Sequence, residues 1–152
     1  MQSTYINPFL SASIHVLETV IQIRPSVGGL RMGHLSANGD MVWLGIHVFG
    51  QMQGNIVFGF PRKVALLLVS AMMGGYTVTE LDEMTRSAIS ELGNMISGNA
   101  STRLSEQGIQ VDITTPKLFV DANSELGIHE KAFTVNIGIE SIGDFDIYVF
   151  LQ

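Results

Sequence analysis

Residues 41–75 read MVWLGIHVFGQMQGNIVFGFPRKVALLLVSAMMGG, and this stretch decides the fold class. Met41 to Phe49 and Asn55 to Phe60 are rich in β-branched and aromatic residues, with Gly50-Gln51-Met52-Gln53-Gly54 between them. Two such runs around a short glycine-bearing connection predict paired strands. Ile56, Phe58 and Phe60 alternate with other residues and so share one face of the second strand. Pro61 then opens a short helix, Arg62 to Met73, which Gly74-Gly75 stops.

Upstream, Ile6-Asn7-Pro8-Phe9 reads as a helix start, with Asn7 as N-cap and Pro8 at the first helical position. Phe9, Leu10, Ile14, Leu17 and Ile21 follow roughly helical spacing, which predicts a helix to about Thr19. Asn38-Gly39 suits a tight hairpin turn between two half-apolar segments. Beyond the short helix, Thr79-Glu80-Leu81-Asp82 has a capping-box pattern and predicts a long helix to about Glu106, with Gly108 as its stop. Strands are expected at Ile109–Thr114, at Lys117–Val120, and in the two alternating runs that hold Phe133 to Ile139 and Phe145 to Leu151. Short turns between most strands favour an antiparallel sheet. The expected class is therefore α+β, a mostly antiparallel sheet packed with two long helices and one short helix, in a single domain over residues 1–152. The hydrophobic last strand, read as a sheet edge, invites pairing with a second copy.

Of 152 residues, 46% are hydrophobic and 14% charged, which excludes intrinsic disorder. The run Val64 to Val69 is too short to span a bilayer. No basic segment precedes a short apolar stretch as in a signal peptide, so a cytoplasmic, non-membrane protein is expected. Residues 1–79 hold four Lys/Arg against two Asp/Glu, whereas residues 80–152 hold four against twelve. An acidic half argues against nucleic acid, whose binding needs cations to neutralise phosphates. There is no cysteine, and His15, His34, His47 and His129 lie too far apart for a local metal motif, so no metal of its own is expected. Neither a P-loop nor a GxSxG elbow occurs.

The long helix carries the chemistry. At about 100° per residue, Leu81, Met84, Ala88, Leu92, Met95 and Ile96 fall on one face, expected to be buried. Beside it Ser87, Glu91, Asn94, Gly98 and Ser101 form a stripe about 80° wide. A solvated face is usually filled with Lys, Glu, Gln and Arg. This one holds small residues around one carboxylate and one amide. Gly93 and Gly98 each cost about 0.8–1.0 kcal/mol against Ala inside a helix, so something is expected to approach the backbone there. On the residues alone the stripe fits either a docking surface or ordinary surface placement.

Ser87-x-x-x-Glu91-x-x-Asn94, continued by Met95-Ile96-Ser97-Gly98-Asn99-Ala100 and followed by Pro116, resembles the signature of the CheC/CheX family of chemotaxis phosphatases. These are cytoplasmic proteins that dephosphorylate the response regulator CheY. The resemblance extends from Asn7-Pro8-Phe9 to Thr114-Thr115-Pro116 and implies a CheC-like fold. Some members carry Glu-x-x-Asn twice. Helix 1 here offers Ser11, His15, Glu18 and Thr19 without that motif, which resembles the one-site, homodimeric CheX branch. What the resemblance implies is a catalytic pair, Asn94 orienting the attacking water and Glu91 pairing with the regulator's lysine. It also implies partner contact at Ser87, Gly98, Ser101 and Pro116. The Mg²⁺ it implies belongs to the phosphorylated CheY-like regulator. The competing reading is a non-catalytic module that binds a regulator or assembles like a flagellar switch protein.

Overall fold

The structure is a computed structural model and describes residues 2–35, 40–120 and 130–152. Along the chain run α1 (Gln2–Ile21), β1 (Ser26–Val27), β2 (Arg31–Gly33), β3 (Met41–Gly50), β4 (Gly54–Pro61), α2 (Arg62–Met72), α3 (Glu83–Glu106), β5 (Val111–Ile113), β6 (Lys117–Phe119), β7 (Ala132–Ile139) and β8 (Gly143–Leu151). The strands join one antiparallel sheet in which β7, β8, β4 and β3 are successive neighbours. β1 and β2 line the outer edge of β7, and β5 and β6 line the outer edge of β3. The expected α+β class, with two long helices and one short one, is the class observed.

Alternation along the strands builds the core. Leu44, Ile46, Ile56, Phe58, Val135 and Ile147 face one way and meet Phe9 and Leu17 of α1 and Ile89, Leu92 and Ile96 of α3. Because every second residue projects to the opposite face, the sheet has a further set to bury. Trp43, Val57, Tyr148 and Phe150 form a smaller buried cluster there with Leu35 and Ala132. Trp43 and Tyr148 pack with ring centroids 6.1 Å apart.

Four expectations change. First, α1 begins at Gln2 and contains Pro8, so Asn7 is not its cap. Ile6, Pro8 and Phe9 are all buried, and their packing outweighs the hydrogen bond that proline removes. Second, β8 is an inner strand held between β7 and β4, not a sheet edge. The physical reason is that its backbone groups are paired on both sides, with Phe133 to Ile139 of β7 and with Gly54 to Gly59 of β4, which leaves no free row to invite a second copy. Third, Asn38 and Gly39 lie outside the described residues, and the strand before them, β2, pairs with β7 rather than with β3. Fourth, α3 begins after Asp82 instead of Thr79. Among the described residues no helix is long and apolar enough to cross a membrane.

Candidate active site

α3 is fixed at both ends by local chemistry. At its start the Asp82 carboxylate accepts a 2.9 Å hydrogen bond from the Thr85 backbone N–H, satisfying a donor that the helix leaves unpaired. That bond holds the Asp82 carboxyl below its ordinary value. Asp82 thereby takes the capping role that the sequence pattern suggested for Thr79. At the far end Gly108 adopts φ +81°, and the Ile109 and Gly108 amides donate back to Leu104 and Ser105, each at 2.9 Å. This is a glycine-terminated stop of the Schellman type.

The buried face of α3 comprises Thr85, Ile89, Leu92, Gly93, Ile96, Ser97, Ala100 and Leu104. It differs from the expected set because Met84 is 60% exposed, while Ala88 and Met95 are half-buried. Small and weakly polar residues, Thr85, Gly93 and Ser97, occupy the core-facing positions in their place. A hydrophobicity count could not favour them over Met84. The available sign was the Asp82-x-x-Thr85 cap, which starts the helix at Glu83 and turns Thr85 rather than Met84 to the core.

Ser87, Glu91, Asn94 and Gly98 are exposed, and Ser101 is half-buried. All five project from the one element, with Glu91 and Asn94 about 5–6 Å apart at Cβ by helical spacing. Among the described residues neither side chain has a hydrogen bond or ion pair within the chain. An amide and a carboxylate so placed offer one acceptor–donor pair and one anion outward, ready for groups from another molecule. Asn99, next along the motif, is engaged internally. Its Oδ1 accepts from Arg103 Nε at 2.6 Å.

The two helix glycines separate cleanly. A Cβ on Gly93 would stand 2.7 Å from Leu44 Cδ2 and 3.2 Å from Pro116 Cγ, so its missing side chain lets the sheet and the β5–β6 connection close on α3. A Cβ on Gly98 would meet nothing within 4 Å. Pro116, expected at the docking surface, is buried against Gly93. Its ring supports the helix from behind, because packing on α3 leaves it no surface to present. Among the described residues no group of three or more His, Asp or Glu converges as a metal site would require.

A profile of the family described as chemotaxis phosphatase CheX matches residues 44–137, a span that includes every expected site residue. The CheY-P phosphatase CheX of Thermotoga maritima is 30% identical over 153 residues, covering 100% of this chain and 98% of its own. The crystal structure of the chemotaxis protein CheX from Desulfovibrio desulfuricans superposes with TM-score 0.76 at 26% identity, over 97% of this chain and 99% of that one. A CheX–CheY–BeF3–Mg²⁺ complex from Borrelia burgdorferi superposes with TM-score 0.73 at 24% identity, over 97% of each chain. The last likeness speaks for the fold alone.

Proposed function

This chain belongs to the CheX family of chemotaxis phosphatases, and on that footing we propose that it hydrolyses the aspartyl phosphate of a CheY-like response regulator. The observation that carries the reading is the pair Glu91 and Asn94, both exposed on one face of α3 and unengaged within the chain among the described residues. An aspartyl phosphate is an activated acyl phosphate, already set beside the regulator's own Mg²⁺ and lysine. What its hydrolysis lacks is a water held in line with the leaving carboxylate. Asn94 Oδ1 accepts from that water while its Nδ2–H donates to the phosphoryl group. The water oxygen forms a bond to phosphorus as the bond to the aspartate oxygen breaks, leaving a carboxylate and inorganic phosphate, which carries both of the water's protons. Glu91 pairs with the regulator's lysine and sets the register of Asn94. Ser87, Gly98 and Ser101 let the regulator approach the helix closely, and Pro116 acts as a positioning residue beneath it.

Residues 1–152 act as one domain in the cytoplasm, and the metal in the reaction is the regulator's. The working form is a homodimer. What supports this is the outer edge of β7, where Val27, Leu30 and Met32 of the β1–β2 segment are 42%, 52% and 54% exposed. Apolar residues beside short edge strands are best covered by a second copy. A pure binding module has no need of an exposed Glu-x-x-Asn pair, so that reading ranks second.

The test is decay of a radiolabelled, phosphorylated CheY-like regulator with Mg²⁺, with and without the protein. Acceleration at substoichiometric protein supports the proposal. Binding of the phosphorylated regulator without acceleration replaces it with the binding-module reading.

A further inference from the structure

We propose that the groove between α1 and α3 is the second part of the regulator-docking surface and takes one apolar side chain from the rim of the regulator's phosphorylation site. This rests on the function proposed above. The groove measures about 310 Å³. Buried Val16 and half-buried Val20 and Met95 supply its apolar surface, with exposed His15, Thr19 and Gly98 around them.

Area requires a second contact region. From Ser87 to Ser101 the stripe runs about 21 Å and is about 10 Å wide, a footprint of roughly 200 Å². A stable protein–protein interface covers about 800 Å² per partner. A regulator seated with its phosphoryl group at Asn94 must therefore also cover one flank of α3. Gly93 and Met95 lie on opposite sides of Asn94 by helical geometry. The Gly93 side leads to the β5–β6 connection, where Thr114 and Thr115 are exposed and polar. The Met95 side leads into the groove, an apolar concavity of the kind that receives anchor side chains.

Continuity and chemistry then identify the occupant. Gly98 belongs both to the groove and to the face that bears Asn94, one helical turn away, and beyond its own helix backbone and chain neighbours no atom of the described residues stands within 4 Å of where its Cβ would be. At Gly98 no side chain of its own separates the catalytic face from the groove. Among the described residues the groove is lined by no Asp, Glu, Lys or Arg, so a charged side chain entering it would lose water without gaining an ion pair. An apolar one gains burial. α1, which lacks a Glu-x-x-Asn of its own, thus contributes a wall of the docking site.

The test uses the whole protein with methyl-labelled methionine, titrated with a CheY-like regulator in its Mg²⁺–beryllofluoride form. The Met95 methyl signal is expected to shift together with the Asn94 amide, while that of Met52, 3% exposed in the core, stays in place. Thr19→Trp, at an exposed position, fills the groove and raises KM for the phosphorylated regulator by about tenfold, the scale of losing one anchor, with kcat retained. A Met95 signal that stays put while Asn94 responds overturns the groove and leaves the phosphatase reading intact. So does a folded Thr19→Trp variant with unchanged KM. No response at either residue, together with no acceleration of regulator decay, overturns both.

Discussion

Replacing each helix glycine with alanine separates a packing role from a docking role. In Gly98→Ala the new methyl meets nothing within 4 Å, so the change carries no steric cost in the isolated protein. It removes the entropic penalty of glycine in a helix interior, worth about 0.8–1.0 kcal/mol. For a chain of this length that raises the melting temperature by about 2–4 °C. In Gly93→Ala the same gain is opposed by a contact of 2.7 Å to Leu44 Cδ2 and of 3.2 Å to the Pro116 ring. Leu44 is fully buried, so its methyl has no space to retreat into. Overpacking of this kind costs about 1–3 kcal/mol, which leaves Gly93→Ala destabilised by up to about 2 kcal/mol after the helical gain. Thermal melts followed by circular dichroism read both signs. Activity runs the other way for Gly98→Ala, since a methyl between the regulator and the helix displaces the phosphoryl group from Asn94. A displacement of about 1 Å costs about 10²-fold, so kcat/KM for the phosphorylated regulator should fall by about 10- to 100-fold in a more stable protein. A Gly98→Ala protein that is stabilised and fully active refutes close approach at Gly98. One that is destabilised refutes the open space around it.

Asn94→Ala is expected to lower the dephosphorylation rate at saturating regulator by about 10²-fold, the loss that accompanies a mispositioned water, with KM little changed; single-turnover decay measures both. Glu91→Ala should raise KM and also slow turnover, because the same contact sets register, and a pure kcat effect would argue against lysine pairing. Asp82→Ala should lower the melting temperature at neutral pH. The folded carboxyl titrates below its ordinary value of 3.8, so its contribution is present above that pH and is lost as pH falls through the lower folded value. Melts from pH 7 to pH 3 should show the wild-type advantage closing at the acid end. Met32→Lys on the exposed β2 edge should convert a dimer seen by light scattering into a monomer, and a wild-type monomer at tens of micromolar would sink the dimer itself.

The strand faces that meet the helices are legible in the chain. Ile56, Phe58 and Phe60 alternate because one face of β4 meets the helices, and the glycine at 108 marked the end of α3 because only a residue tolerant of positive φ closes that turn. Pairing was less legible, because alternation says which face is buried and not which strand lies alongside. β8 was misplaced at an edge for this reason. Its near-continuous apolar run from Ile147 to Leu151 was the available sign of a strand buried on both faces. β1 and β2, of two and three residues, carry too few side chains to show a period at all. The proline at position 8 misled because a local penalty was weighed without the buried contacts of Ile6 and Phe9 that override it.

The stripe was legible because its members sit on one helix, where spacing alone sets geometry. Pro116 was not, since its relation to Gly93 exists only after β5 and β6 have paired with β3. That difference bears on how the site works. Positioning a water demands that an amide be held within about 0.5 Å of its working place, and rigid elements do this better than loops. α3 meets the demand through a cap at Asp82, a stop at Gly108, a core-facing row from Ile89 to Leu104, and the Pro116 ring wedged against its backbone at Gly93. The surface opposite Gly93 is left open at Gly98. One glycine thus braces the helix from within, while the other leaves the helix open for the regulator docking proposed here. The proposed catalytic pair stands between them, Glu91 two residues before Gly93 and Asn94 four residues before Gly98.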